Sequence, residues 1–216
     1  MEAAGRLIGN WSNGVAIDLH AAYEFLRVKG QVKVWAKFVW NPCLIPKHSF
    51  LLWLCARGRL LTRDRLLFLD IDRACPFCCV VEESSDHLFF LCSFNRAVWL
   101  QIKVWFGMSR VMSSISSAIK WISKDAKGSS WICKVKRIAL ACSVYQIWGA
   151  RNCLIFYGIR PTVEGLVCRI KTFVYKVMFT MYPQVLIHFE ALASDRSLFV
   201  GFGLVPGYAR CTLYIF

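Results

Sequence analysis

The sequence predicts a mostly α-helical fold, and three stretches carry that prediction. Pro161-Thr162 opens the cleanest amphipathic pattern, in which Val163, Leu166, Val167, Ile170, Val174, Val177, Met178 and Met181 recur at helical spacing, with Lys171 and Lys176 opposite and Pro183 as the stop. Trp131 to about Phe156 is a longer helical pattern, which Gly149 weakens by about 1 kcal/mol relative to Ala, so a kink or an early stop is expected there. Pro46 sits in the first turn of a third helix, running through Ser49-Phe50-Leu51-Leu52-Trp53-Leu54-Cys55-Ala56 to Gly58.

The remaining segments follow in order. Residues 1–17 read as an irregular lead-in, and Asp18 caps a short helix from Leu19 to Val28 ended by Lys29-Gly30. Val32 to Trp40 alternates only partly before Asn41-Pro42, which leaves helix and strand open. Thr62 is read as the cap of a helix from Arg63 to Leu69, with Leu66, Leu67 and Leu69 on its apolar side. Ser85 and Ser93 are read as caps of the turn carrying His87 and Cys92 and of a helix from Phe94 to Phe106, in which Val98, Leu100, Ile102 and Trp105 oppose Arg96, Gln101 and Lys103. Ser109 to Ser117 is a Ser-rich link, followed by a short helix from Ala118 to Lys124.

Bulk properties narrow the function. A chain of 216 residues has room for one or two domains with a real core, and at 57% hydrophobic it is too apolar for disorder. That apolar excess predicts a protein partner covering exposed surface. No stretch reaches the roughly 18 uncharged apolar residues of a membrane span, and no signal peptide opens the chain. Eleven Cys, several within apolar helical patterns, indicate a reducing, intracellular setting, nuclear or cytoplasmic. The net charge of +14 is concentrated: ten basic against three acidic residues from Arg27 to Arg73, and fourteen against two from Arg96 to Lys176. Such a surface favours polyanions, with RNA or DNA the first candidates.

Between the two basic regions lies the one stretch whose residue types point to chemistry. Cys75-Pro76-Phe77-Cys78 is followed by His87 and Cys92, giving C-x2-C-x8-H-x4-C. Two thiolates on one tight turn, completed by an imidazole and a third thiolate, form a tetrahedral Cys3His set for structural Zn2+. With all four positions filled by protein, no place remains for an activated water. Asp70 and Asp72 read as a solvated helix end rather than a Mg2+ pair, and His20, His48 and His188 as structural or surface residues. Gly201-x-Gly203 lacks the third glycine of a phosphate loop, since position 206 is Pro. No serine or cysteine nucleophile is recognisable, and no aromatic-x-Asp-Asp motif is present.

Residues 33–105 resemble the reverse-transcriptase zinc-binding domain of plant LINE-type (non-LTR) retrotransposon proteins. The resemblance rests on Trp35 and Trp40 before Pro42; Pro46-Lys47-His48-Ser49-Phe50-Leu51-Leu52-Trp53; Gly58-Arg59-Leu60-Leu61-Thr62-Arg63-Asp64-Arg65-Leu66; Cys75-Pro76-Phe77-Cys78; Glu82 through Cys92; and Ala97-Val98-Trp99. Val144 to Asn152 is similar to the helical region that follows this domain. Cys79 departs from the pattern, standing where relatives more often have Gly, and adds a thiol that could compete for the metal. The resemblance implies a helical zinc-binding module at 31–108 followed by a helical C-terminal region at 118–183, with an N-terminal segment at 1–30 and an unassigned tail at 184–216. The module is expected to be non-catalytic and to bind RNA or DNA through Arg57, Arg59, Arg63, Arg65 and Lys103. The alternative is a structural or protein-interaction module that binds no nucleic acid.

Overall fold

The structure is a computed structural model and describes residues 18–28, 30 and 33–182. The lead-in at 1–17, Pro183, His188 and the tail with Gly201 and Gly203 lie outside the described residues. The chain divides into two compact units, Met1–Lys33 and Val34–Phe216. In the first, α1 spans Leu19–Leu26, and Asp18 caps it by accepting from the backbone N–H groups of His20 and Ala21, each at 3.0 Å.

The second unit is mostly helical. Its α-helices are α2 (Val34–Val39), α3 (Pro46–Ala56), α4 (Ser93–Trp105), α5 (Ile115–Asp125), α6 (Trp131–Tyr157) and α7 (Val163–Met181). No strand occurs among the described residues, only an isolated antiparallel bridge between Ala74 and Glu82. None of the described helices is long and apolar enough to cross a membrane.

α6 is the centre of this unit. From Ile138 to Cys153 it is buried nearly all round, the expected state of a helix apolar on every side. α3 and α7 pack on it, and α7 also packs against α4. Ser130 caps its start, accepting from Cys133 N–H at 3.4 Å, and Gly158 ends it at φ 68°. The helix runs through Gly149 without the expected break, because burial of residues on either side outweighs the propensity penalty. α7 buries the predicted face, Leu166, Val167, Ile170, Val174, Val177 and Met178. Thr162 caps it through Gly165 N–H at 3.1 Å.

α3 buries His48, Leu51, Leu52 and Cys55 at helical spacing. Its C-terminus is a Schellman motif: Arg59 N–H bonds the Leu54 carbonyl at 2.8 Å and Gly58 N–H the Cys55 carbonyl at 2.9 Å, with Gly58 at φ 59°. The ambiguous stretch before it is helical: α2 buries Phe38 and Val39 and packs against α3 and α5.

Several local expectations are corrected. The helix expected over Arg63–Leu69 is a single 3-10 turn, Arg63–Arg65, and Leu67, Phe68 and Leu69 are exposed. Long-range bonds displace it: Arg63 N–H donates to Glu83 Oε2 at 2.8 Å, and Arg63 Nη1 donates to the Ala74 carbonyl. Thr62 heads the turn without a side-chain capping bond, and its hydroxyl donates to Asp64 instead. α4 is capped by Cys92 rather than Ser93, and Leu100 faces solvent while Asn95, Val98, Trp99 and Ile102 face the core. α5 begins within the Ser-rich link, where Ser114 and Ser117 form a reciprocal capping box.

Candidate metal centre

The centre is built from a short hairpin, a wide helical turn and the start of α4. Glu83 N–H bonds the Arg73 carbonyl at 2.9 Å and Cys75 N–H the Val81 carbonyl at 2.8 Å, closing the hairpin around Pro76-Phe77-Cys78. Phe77 is buried and stacks on Phe94, with ring centroids 4.9 Å apart. His87–Leu91 forms a π-helical turn in which Cys92 N–H reaches the His87 carbonyl at 2.7 Å. Such a turn withholds carbonyls from the usual ladder, and α4 side chains take them: Trp99 Nε1 donates to the Phe89 carbonyl at 2.6 Å, and Asn95 Nδ2 to that of Leu88 at 2.5 Å. Ser84, not Ser85, caps the turn by accepting from His87 N–H at 3.1 Å, whereas the Ser85 hydroxyl is buried without a hydrogen-bond partner.

These elements gather all four predicted ligands. The sulfurs of Cys75, Cys78 and Cys92 and a ring nitrogen of His87 lie within 4.8 Å of one another. Cys75 Sγ is 3.9 Å from Cys92 Sγ, and Cys78 Sγ is 3.3 Å from His87 Nε2. A tetrahedral zinc with Zn–S bonds of about 2.3 Å separates its sulfurs by about 3.8 Å, so the donors fit the ion in type, number and spacing. Cys75 donates its proton toward Cys92, and that bond, with burial added, raises the Cys75 pKa. The same bond lowers that of Cys92, helped by backbone N–H groups of Asn95 and Phe94 in the first turn of α4.

Cys79 stands apart from this cluster. Its thiol turns toward the Pro76 carbonyl at 3.7 Å and is exposed, while its backbone lies in the left-handed region at φ 56°. That conformation explains why glycine suits the position. Cys79→Gly is expected to raise stability by about 0.5–1 kcal/mol while keeping full metal stoichiometry. Urea midpoints and metal analysis check both; loss of metal would make Cys79 a ligand.

Sequence reasoning missed the group that braces the centre. Glu83, in the loop between Cys78 and His87, is 0% exposed and meets Arg151 of α6 in a two-pronged ion pair: Arg151 Nε to Oε1 at 3.0 Å and Nη2 to Oε2 at 2.7 Å. The Arg151 guanidinium also lies 4.7 Å over the Trp148 ring. Beyond α6, Arg160 Nη1 donates to the Phe77 carbonyl at 3.2 Å.

The predicted basic residues are divided between two places. Arg57, Arg59 and Arg65 are exposed, and Arg65 comes within 3.2 Å of the position a Cβ would occupy on Gly58. Arg65 therefore lies against the Arg57-Gly58-Arg59 turn. Among the described residues no carboxylate comes within 4 Å of these three. Arg63 is turned inward to Ala74, 3.7 Å from Asp72. Lys103 is on α4, with Nζ 3.5 Å from the Arg110 carbonyl, and lines a groove of roughly 500 Å³ with Arg96, Leu100 and Val111. Asp70 is exposed, and Asp72 caps its own loop by accepting from Ala74 N–H at 2.9 Å.

His48 and Cys142 form a buried contact that superficially suggests a catalytic dyad, with Nδ1 3.5 Å from Sγ. Burial, joined by the charge of Lys47, lowers the His48 pKa from 6.5 to about 4, and burial raises that of Cys142 to about 12. Both groups are therefore neutral near pH 7, and the thiol is not activated. The unfolded chain takes up a proton as pH falls through 6.5, whereas the folded chain resists until about 4. His48 thus contributes stability that is intact above that window and lost within it, at about 1.4 kcal/mol per pH unit. With zinc in excess, unfolding of His48→Gln between pH 7 and 5.5 is expected to show a shallower pH slope than the parent. Equal slopes would place a charged His48 in the fold.

The family model for zinc-binding in reverse transcriptase matches residues 18–99. The match is to this module and not to a catalytic polymerase domain. No curated protein and no solved structure matches the chain.

Proposed function

We propose that this chain is a structural zinc module, derived from a LINE-type retrotransposon reverse transcriptase of plants, that binds the backbone of RNA or DNA and has no catalytic activity of its own. The match over residues 18–99 and the four converging donors support the zinc and reverse-transcriptase parts of this reading. A Cys3His site filled by protein activates no water, so its metal serves folding. Nuclear or cytoplasmic residence follows from that origin.

One observation carries the binding part: Arg57, Arg59 and Arg65 converge at the end of α3 without carboxylate partners, within a chain of net charge +14. Arg63 is occupied within the hairpin and leaves the contact set. Lys103 forms a separate, weaker contact. Fluorescence anisotropy of the zinc-loaded chain with RNA and DNA oligonucleotides, repeated across salt concentrations, tests the proposal. Binding is expected to weaken steeply with salt, and replacing all three arginines by Gln should lower the log–log slope by about 2 to 3. Absence of binding at about 50 mM salt, or a slope unchanged by the triple substitution, would exclude this surface.

A second reading has its own support. Leu67 at 65% exposure, Phe68 at 79% and Leu69 at 45% form an uncovered apolar run beside the hairpin, as on a protein-interaction module. A parent that binds no nucleic acid, together with a protein contact that Phe68→Ser abolishes, would favour this surface over the arginines.

A further inference from the structure

We infer that the metal centre is a two-part site, whose hairpin half is held in metal-binding geometry by Arg151 and Arg160, two positioning residues beyond the segment 18–99. The inference rests on the zinc reading above and deepens it. Each arginine grips a different side of the ligand loop.

Arg151 acts on the long span between Cys78 and His87. Eight residues separate these ligands, and an open loop of that length would have to be ordered whenever metal binds. Glu83 removes that freedom. Its carboxylate takes both prongs of Arg151 and the N–H of Arg63, while its backbone carbonyl accepts from Asp64 N–H at 3.2 Å and its own N–H donates to the Arg73 carbonyl. The residue is anchored on every side, and the charged side chain paired with it is Arg151 of α6.

Arg160 acts on the C-x2-C turn itself. Its target, the Phe77 carbonyl, shares a peptide plane with the N–H of Cys78. Carbonyl and N–H point in opposite directions across a trans peptide, so an outward carbonyl aims that N–H inward. The same turn is closed from Cys79 N–H to the Cys75 carbonyl at 2.8 Å. Holding one carbonyl thus presets the orientation of the peptide that joins Phe77 to the ligand Cys78. Partners of this kind around metal ligands are commonly worth 10- to 100-fold in metal affinity.

A thermodynamic distinction separates positioning from simple fold support. A residue that stabilises the metal-free and metal-loaded folds equally leaves the zinc dissociation constant unchanged. The test is competition of the full chain against a chromophoric zinc chelator, for the parent, Arg151→Met, Arg151→Lys, Arg160→Ala and the core control Val174→Ala. Arg160→Ala and Arg151→Met are expected to weaken zinc binding about 10-fold or more, with Arg151→Lys between Met and parent, and Val174→Ala unchanged despite a lower melting temperature. Arg160 is exposed and gives a single bond to the loop, so its variant remains folded and decides the question even if Arg151→Met does not. Parent-like zinc affinity in Arg160→Ala, or an equal loss in Val174→Ala, overturns the inference. A parent that binds no zinc would instead overturn the zinc reading beneath it.

Discussion

Cys78→Ser is expected to abolish stoichiometric zinc binding, and chelation of the parent to have the larger consequence of unfolding the ligand loop. Structural zinc contributes on the order of 10 kcal/mol to the fold it organises. That is comparable with the whole stability of an ordinary domain. The hairpin from Ala74 to Glu82 has a single bridge and few backbone bonds of its own, so once the four donors separate it rests on the contacts of Arg63, Arg151 and Arg160, which contribute less than the metal. α6 and α7 share an extensive apolar seam that does not pass through the metal, and chelation should spare much of their helicity. Metal analysis of purified parent and variant, with circular dichroism before and after a strong chelator, reads both effects. One equivalent of zinc retained by Cys78→Ser would refute the ligand set.

Glu83→Ala should cost about 3–5 kcal/mol in the zinc-loaded chain, because it strands the Arg151 guanidinium in the interior. Arg151 is 5% exposed, and after the substitution Asn152 Oδ1, at 3.1 Å, and the Trp148 ring are its remaining partners among the described residues. Two apolar replacements should do less harm than one. Glu83→Met combined with Arg151→Met is expected to recover part of the loss, limited by Arg63 N–H, which also loses its acceptor. Urea unfolding at saturating zinc measures both variants against the parent. A Glu83→Ala loss below about 1 kcal/mol would mean that water reaches the pair.

The parts of this molecule that the sequence revealed are those encoded over short range. The face of α7, the cap Asp18, the stop at Gly58 and the four metal donors each depend on residues within one or two turns, where spacing translates directly into position. The 3-10 turn after Thr62 was misread because its fate is settled by Glu83 and Ala74, and local propensity carries no record of either. Glu83 was hidden in an acidic cluster with Glu82 and Asp86. Composition cannot show which of three carboxylates is buried, and its partner Arg151 lies 68 residues away without a shared pattern. The cap at Ser84 was displaced by one residue because a π-helical turn shifts the register that a regular helix would impose.

The end of α3 makes the arginine surface replaceable. Its last carbonyls are satisfied by the backbone of the Gly58 turn, so Arg57, Arg59 and Arg65 have no structural duty as hydrogen-bond caps. Their favourable interaction with the helix dipole is worth only a few tenths of a kcal/mol each at an exposed site. Under the proposed binding reading, affinity for a polyanion would therefore be raised, lowered or erased at these three codons with little effect on folding, leaving the surface free to drift while the scaffold beneath it endures.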